Sequence, residues 1–202
     1  MRLQLNKYKK GDLLMRRKVY TREHILKAAY ELINREGFGN FTARNIAKHM
    51  GISTQPIYLE FENMQDLKNT LVEAVFKDLS ENVFPVVRTG DKLVDLGLNY
   101  IRFAQEQHNL YIALFIDDYG GGKLMHDFSS TYFKSLIKSE EKYADLSEDA
   151  INALHNGAWI VVTGLASLMS AGIITPTDDQ IIKIINETIA GVIEKKENYI
   201  FD

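Results

Sequence analysis

The 202-residue chain contains no cysteine, which excludes disulfides and thiolate metal sites. It has three prolines and few runs that alternate apolar with polar residues, so the expectation is an all-α protein. Its histidines, His24, His49, His108, His126 and His155, are dispersed and have no metal-site spacing. Glycines 120–122 lack the GxxxxGKS/T or GxGxxG setting of a phosphate loop, and the serines lack a nucleophile elbow. No catalytic constellation stands out, so an enzyme is not the reading, and neither cofactor nor metal is expected. Residues 1–18 are basic but hold no apolar core of signal-peptide length; the default location is cytoplasmic. At 46% hydrophobic and 25% charged, the rest is the composition of a soluble globular protein.

The net charge of −3 conceals an asymmetry. Residues 1–68 hold 13 Lys/Arg and 7 Asp/Glu, a balance of +6, whereas residues 69–202 hold 11 and 20, a balance of −9. A basic first third on an acidic remainder is expected of a DNA-binding head on a regulatory body.

The most informative stretch is residues 42–61, TARNIAKHMGISTQPIYLEF. Thr42 is placed to cap a first short helix, along which Ile46, Ala47 and Met50 form an apolar stripe. Gly51 stands where a left-handed residue ends a helix. Ser53 is the expected cap of a second helix, with Pro56 at its third position, where a missing N–H is harmless. Ile57 and Phe61 then point inward and leave Thr54, Gln55, Tyr58 and Leu59 outside. Two helices joined by such a turn make a helix-turn-helix, whose second helix enters the major groove.

The spacing Thr42, Ile46-Ala47, Gly51-Ile52-Ser53, Tyr58, Phe61 resembles the TetR family of bacterial repressors. The likeness extends back through a first helix at 21–36 with Gly37-Phe38 after it, and forward to a helix start at 63–67. It implies a basic arm at 1–18, a helix-turn-helix domain at 19–66 and a helical ligand-binding and dimerisation domain at 67–202, about nine helices in all. It further implies a repressor that binds a palindromic double-stranded DNA operator as a homodimer. Gln55 is suited to adenine, Thr54 to a thymine methyl or a phosphate, and Pro56 and Leu59 to thymine methyls. Arg44 suits a base or phosphate, while Thr42 and Lys48 suit phosphates. Tyr58 reaches phosphate in the family, and Arg16, Arg17 and Lys18 are placed for backbone contact just before the first helix. Many members also carry a phosphate-touching lysine soon after the Phe61 position. Here Asn63, Met64 and Gln65 stand there, and the first lysine is Lys68.

Beyond the head, Asn63 is an expected cap, with Asp66 completing something near a capping box, for a helix to about residue 83. Helical patterns follow at 91–108, 110–115, 123–141, 148–174 and 178–194, broken at 85–90 and by the acidic loop 117–122. Residues 103–115, FAQEQHNLYIALF, look like a segment of one group of TetR effector domains, in which His-Pro stands in place of Gln107-His108. The family likeness implies a pocket for an unidentified small hydrophobic or aromatic effector, with Tyr100, Phe103, Gln107, Tyr111, Phe115, Tyr132 and Trp159 as candidates. It also implies a dimer interface from the last two helices, with Ala153, Gly157, Val161, Gly164, Leu168, Ile181, Ile185 and Ile189 as candidates. Residues 148–174 are long enough for a membrane span, but Asn152, His155, Asn156, Thr163, Ser167 and Ser170 lie all round the helix and no aromatic-plus-basic anchors flank it; no membrane partner is expected. The alternative reading is a DNA-bound interaction protein whose body binds a protein partner. An enclosed apolar cavity favours the effector; a filled core with an exposed apolar patch favours the partner.

Overall fold

A computed structural model describes residues 20–116 and 122–195. The described residues contain α-helices and no strand, as the sequence pattern predicts. The head comprises α1 (Arg22–Glu36), α2 (Ala43–Met50) and α3 (Gln55–Glu60). A capping box starts α1, built from an unexpected pair: Thr21 Oγ1 accepts from the His24 amide and His24 Nδ1 accepts from the Thr21 amide. Ile25, Ala29, Leu32 and Ile33 of α1 close over Ile46 and Ala47 of α2 and Ile57 of α3, all buried. Phe38 and Phe41 meet edge-to-face at 5.3 Å at one side of this core.

The turn between α2 and α3 follows the expected chemistry with one change. Thr42 Oγ1 accepts from the Asn45 amide at 3.2 Å, and Gly51 adopts φ 67°, the left-handed region that a side chain disfavours. Ser53 does not cap α3: the helix begins after Thr54, which makes no side-chain cap bond, and Pro56 is at its second position. An N–H there would also lack an intrahelical partner, so the proline is accommodated one residue earlier than predicted.

The body begins with α4 (Met64–Asp78), which runs into a wide π-type turn at Leu79–Val83. Asn63 caps α4 as expected, accepting from the Gln65 and Asp66 amides. The box is not closed in the predicted way, because Asp66 Oδ2 accepts from the Glu62 amide instead. Then come α5 (Lys92–Glu106), α6 (His108–Tyr111) with a second wide turn at Ile112–Ile116, α7 (Gly122–Lys138), α8 (Glu148–Ser170) and α9 (Asp178–Lys195). α5 is the central post, packed against α6, α7, α8 and α9. Val94, Leu98 and Ile101 are therefore buried as well as the stripe through Leu93, Gly97 and Tyr100.

Two polar residues in this post, Asp95 and Asn99, are buried and partnered. Asp95 accepts from the Thr89 amide and hydroxyl at 2.7 Å each and from the Gly90 amide at 3.3 Å. Burial opposes its charge, yet those donors win and hold the carboxyl below its ordinary range. Asn99 donates to the carbonyls of Phe84 and Val86 and accepts from Arg88. Together they fasten the loop between α4 and α5. The head joins the body through α4 and through α1, which packs on α6.

Candidate functional site

The outer face of the helix-turn-helix is built by exclusion. Ile57 (1% exposed) and Phe61 (2%) are spent on the core, so Tyr58 (54%) and Leu59 (76%) must project outward. Thr54 and Gln55 are exposed beside them, and Pro56 is half-buried. Arg44 and Lys48 lie one turn apart on the outside of α2, exposed and without an ion pair among the described residues. Thr42 is also exposed, although its hydroxyl already serves as the helix cap. The expected contacts Arg16, Arg17 and Lys18 lie outside the described residues.

A residue that the sequence reading passed over fixes the end of α3. Arg22 of α1 donates to the Glu60 carbonyl at 2.6 Å and to Thr70 Oγ1 at 2.8 Å, lies 3.6 Å from Asp66 Oδ1, and places its guanidinium 4.1 Å over the Phe61 ring. It ties the C-terminus of α3 to the start of α4 and is a positioning group. Lys68, the first lysine after the motif, lies with its ammonium 4.8 Å over the Phe38 ring.

The second feature is a cavity of about 70 Å³ in the body, between α4, α5, α7, α8 and α9. Of the expected effector contacts, Tyr100, Phe115, Tyr132 and Trp159 line it. Phe103, Gln107 and Tyr111 do not. Phe103 is buried elsewhere in the core, Gln107 ends α5, and Tyr111 is fully buried with its hydroxyl 3.1 Å from Ser167 Oγ. The structure adds Phe76 and Phe84, from either side of the wide turn after α4, and the polar pair Ser129 and His155. Phe76 stacks on Phe128 of α7 at 4.9 Å, and Phe84 lies 5.7 Å from Tyr132. The wall therefore includes the helix that carries the head. Tyr100 places its hydroxyl 3.2 Å from Thr163 Oγ1, and burial pushes this phenol far above its usual range.

His155 is buried, with Nε2 3.3 Å from Ser129 Oγ. Its pKa is lowered to about 4, first by burial and then by the neighbouring His126 and Lys134, against an opposing hydrogen bond that the ring donates to Asn156. At neutral pH this imidazole is uncharged.

The expected dimer residues divide in two. Ala153, Ile181, Ile185 and Ile189 are buried within the chain, where α8 and α9 pack on each other and on α5, so they are core. Gly164 and Leu168 are exposed, and Gly157 and Val161 are half-buried. Ile160 (55% exposed), Ile184 and Ile193 join them on the outside of the same two helices. No helix among the described residues is long and apolar enough to cross a membrane.

Residues 25–71 match the model for bacterial regulatory proteins of the tetR family. No curated protein matches the chain. Among solved structures, a protein from Vibrio parahaemolyticus described as a TetR-family transcriptional regulator superposes with a TM-score of 0.63 at 17% identity, covering 83% of this chain and 96% of its own. The flavonoid-responsive regulator FrrA gives 0.62 at 18% identity, over 86% and 95%. The dihydroxyacetone kinase operon activator DhaS gives 0.50 at 15%, over 88% and 97%. At these identities the structures share the fold alone, and the likeness to the tetR family lies in the head, whose helix-turn-helix falls inside the matched segment 25–71.

Proposed function

We propose that this chain is a TetR-family transcriptional regulator, a homodimeric repressor that reads a palindromic operator and releases it when a small hydrophobic or aromatic effector enters the body. The observation that supports this reading most is the cavity, because Phe76 and Phe84 place the end of α4 in its wall. An effector that displaces those rings pushes on the helix that holds the head. By linkage, an effector that weakens DNA binding is itself bound less well by the DNA-bound form. The partner-protein reading needs no such apolar cavity, and its presence favours the effector.

In this reading residues 19–66 are the DNA-binding domain and 67–202 the effector and dimerisation domain. Thr54, Gln55, Pro56, Tyr58 and Leu59 face the major groove, while Thr42, Arg44 and Lys48, with Arg16, Arg17 and Lys18 ahead of α1, hold the backbone. One six-residue α3 makes too few contacts for tight specific binding, which is why two heads on a palindrome are needed. The dimer forms where Ile160, Leu168, Ile184 and Ile193 are exposed beside Gly157, Gly164 and Gly191 on α8 and α9.

The test is selection of genomic DNA fragments on the purified protein at near-physiological salt, with Tyr58→Ala in parallel. A short palindrome enriched by the native protein and lost in the variant is the expected result. Weak, sequence-blind, salt-sensitive retention by both proteins would overturn specific operator binding. The selected DNA then serves to score repression and effector release.

A further inference from the structure

The cavity has one polar corner. Among the described residues no Asp, Glu, Lys or Arg lines it, and its walls are aromatic and aliphatic apart from the groups on Ser129, His155 and the tyrosines. Taking an ion into such a space without a counter-charge is costly. The tyrosine hydroxyl whose partner is defined, that of Tyr100, is turned to Thr163. Ser129 and His155 are placed differently. Ser129 Oγ donates to the His126 carbonyl at 3.0 Å. The neutral imidazole of His155 has one N–H and is also hydrogen-bonded to Asn156. The contact between Ser129 Oγ and His155 Nε2 is long, 3.3 Å, near the limit of a hydrogen bond. The corner thus offers a weakly engaged ring nitrogen and a remaining lone pair on Ser129 Oγ. A hydroxyl donates and accepts, so it meets the ring nitrogen in either tautomer; a carbonyl meets it in only one.

The space itself calls for a flat ring. Its volume of about 70 Å³ is about half that of an engineered cavity that holds benzene, ~150 Å³, so a wall must give. Trp159 is the wall with somewhere to go. On one side it lines the cavity, and on the other it lines a surface groove with His126, Ile160 and Thr163. Its indole stacks on the exposed His126 at 5.2 Å.

We propose that the cavity takes an uncharged aromatic compound bearing a hydroxyl, which sits on His155 and Ser129 while its ring displaces Trp159 toward the groove. This deepens the effector reading above and rests on it. Charged aromatics are excluded because no counter-charge lines the cavity. An isosteric hydrocarbon is disfavoured because it leaves the Nε2 atom and the Ser129 lone pair weakly satisfied or unsatisfied.

Trp159 is the chain's single tryptophan, so its fluorescence reports occupancy of this wall. The full-length protein is titrated with p-cresol, with its isostere p-xylene and with the anion p-toluate, and each titration is repeated on Ser129→Ala and His155→Leu. The expected result is that p-cresol shifts the emission and binds about tenfold more tightly than p-xylene, while p-toluate binds more weakly than either. Ser129→Ala narrows the preference for p-cresol and His155→Leu erases it. Ser129 is only half-buried, so its alanine variant keeps the test open if His155→Leu fails to fold. The proposal is overturned if p-toluate binds as well as p-cresol, if p-xylene matches p-cresol, if the preference survives in Ser129→Ala and in a folded His155→Leu, or if none of the probes moves the emission. The same samples are scored for retention of the selected DNA. Cresol binding without DNA release leaves the ligand class standing and sinks the effector role; specific DNA binding with no probe bound sinks the ligand class alone.

Discussion

In the head, Tyr58 and Leu59 stand in solvent over a closed core, whereas in the body Tyr100, Tyr132 and Trp159 turn toward a partly open apolar cavity. The difference separates what mutations do. On an outward site, packing and function reside in different residues: Ile57 and Phe61 hold α3 while Tyr58 and Leu59 face away. In an inward site the same side chain serves both, so substitutions in the cavity perturb stability and binding together. Arg22 and Asn99 show the corresponding devices of the two regions. Arg22 fixes the end of α3 from behind, and Asn99 fastens the loop after Phe84 from within.

The largest expected effect is in the head core. Phe61→Ala removes a ring that is 2% exposed and carries the Arg22 guanidinium. A cost of about 3–5 kcal/mol is expected, measured by urea unfolding, with operator binding lost because α3 is no longer held. A loss under about 1 kcal/mol would mean that α3 is positioned by something other than this contact.

Next is the acid limb of the body. The unfolded chain protonates His155 below about pH 6.5, while the folded chain resists down to about pH 4. Between those values the unfolded state binds more protons, so stability falls as pH falls through this window and levels off below it. At pH 4 the lost stability from this residue is on the order of 2–3 kcal/mol. His155→Leu removes that component, and its unfolding midpoint should drop less between about pH 7 and about pH 4.5 than that of the native protein. Equal drops would show that the imidazole is not desolvated as its burial indicates.

The fold of the head was legible in the sequence because caps, turn glycine and apolar stripe are all local. Thr42, Gly51, Ile57 and Phe61 each do in the structure what their spacing predicts. Arg22 was invisible because its partners Glu60, Asp66 and Thr70 are far along the chain. In the body, periodicity marked buried faces but not what buries them. Ile181, Ile185 and Ile189 form a clean stripe that faces the chain's own core, and Ile160 and Ile184 are exposed instead. The cavity draws Phe76, Phe84, Ser129 and His155 from separate helices and turns, so no single stretch announces it. Tyr111 lies in the same segment as Phe115 yet is turned to Ser167.

A middle-sized effect tests the outward site. Tyr58→Ala replaces a residue that is 54% exposed, so stability should stay within about 0.5 kcal/mol. Operator affinity should fall by about 1–3 kcal/mol, or roughly five- to 150-fold, as read by fluorescence anisotropy with labelled DNA. A drop in stability to match would place Tyr58 in the packing of the head and blur the contrast between the regions.

The smallest effect discriminates between two glycines of the body. An alanine at Gly97 would put its Cβ 2.7 Å from Ile185 Cδ1 and 3.2 Å from Val162 Cγ1, so a side chain that lines the cavity must shift. At Gly164 a Cβ meets nothing within 4 Å. Within one chain Gly164→Ala therefore gains only the helix-interior advantage of alanine, about 0.5–1 kcal/mol. If the outer faces of α8 pair at Gly164, the same methyl group obstructs close approach in the dimer. The expected outcome is a higher thermal midpoint at dilutions that favour the monomer, together with weaker dimerisation by sedimentation. A stabilised monomer with unchanged dimer affinity would move the interface away from Gly164, to the part of the exposed surface around Ile184 and Ile193.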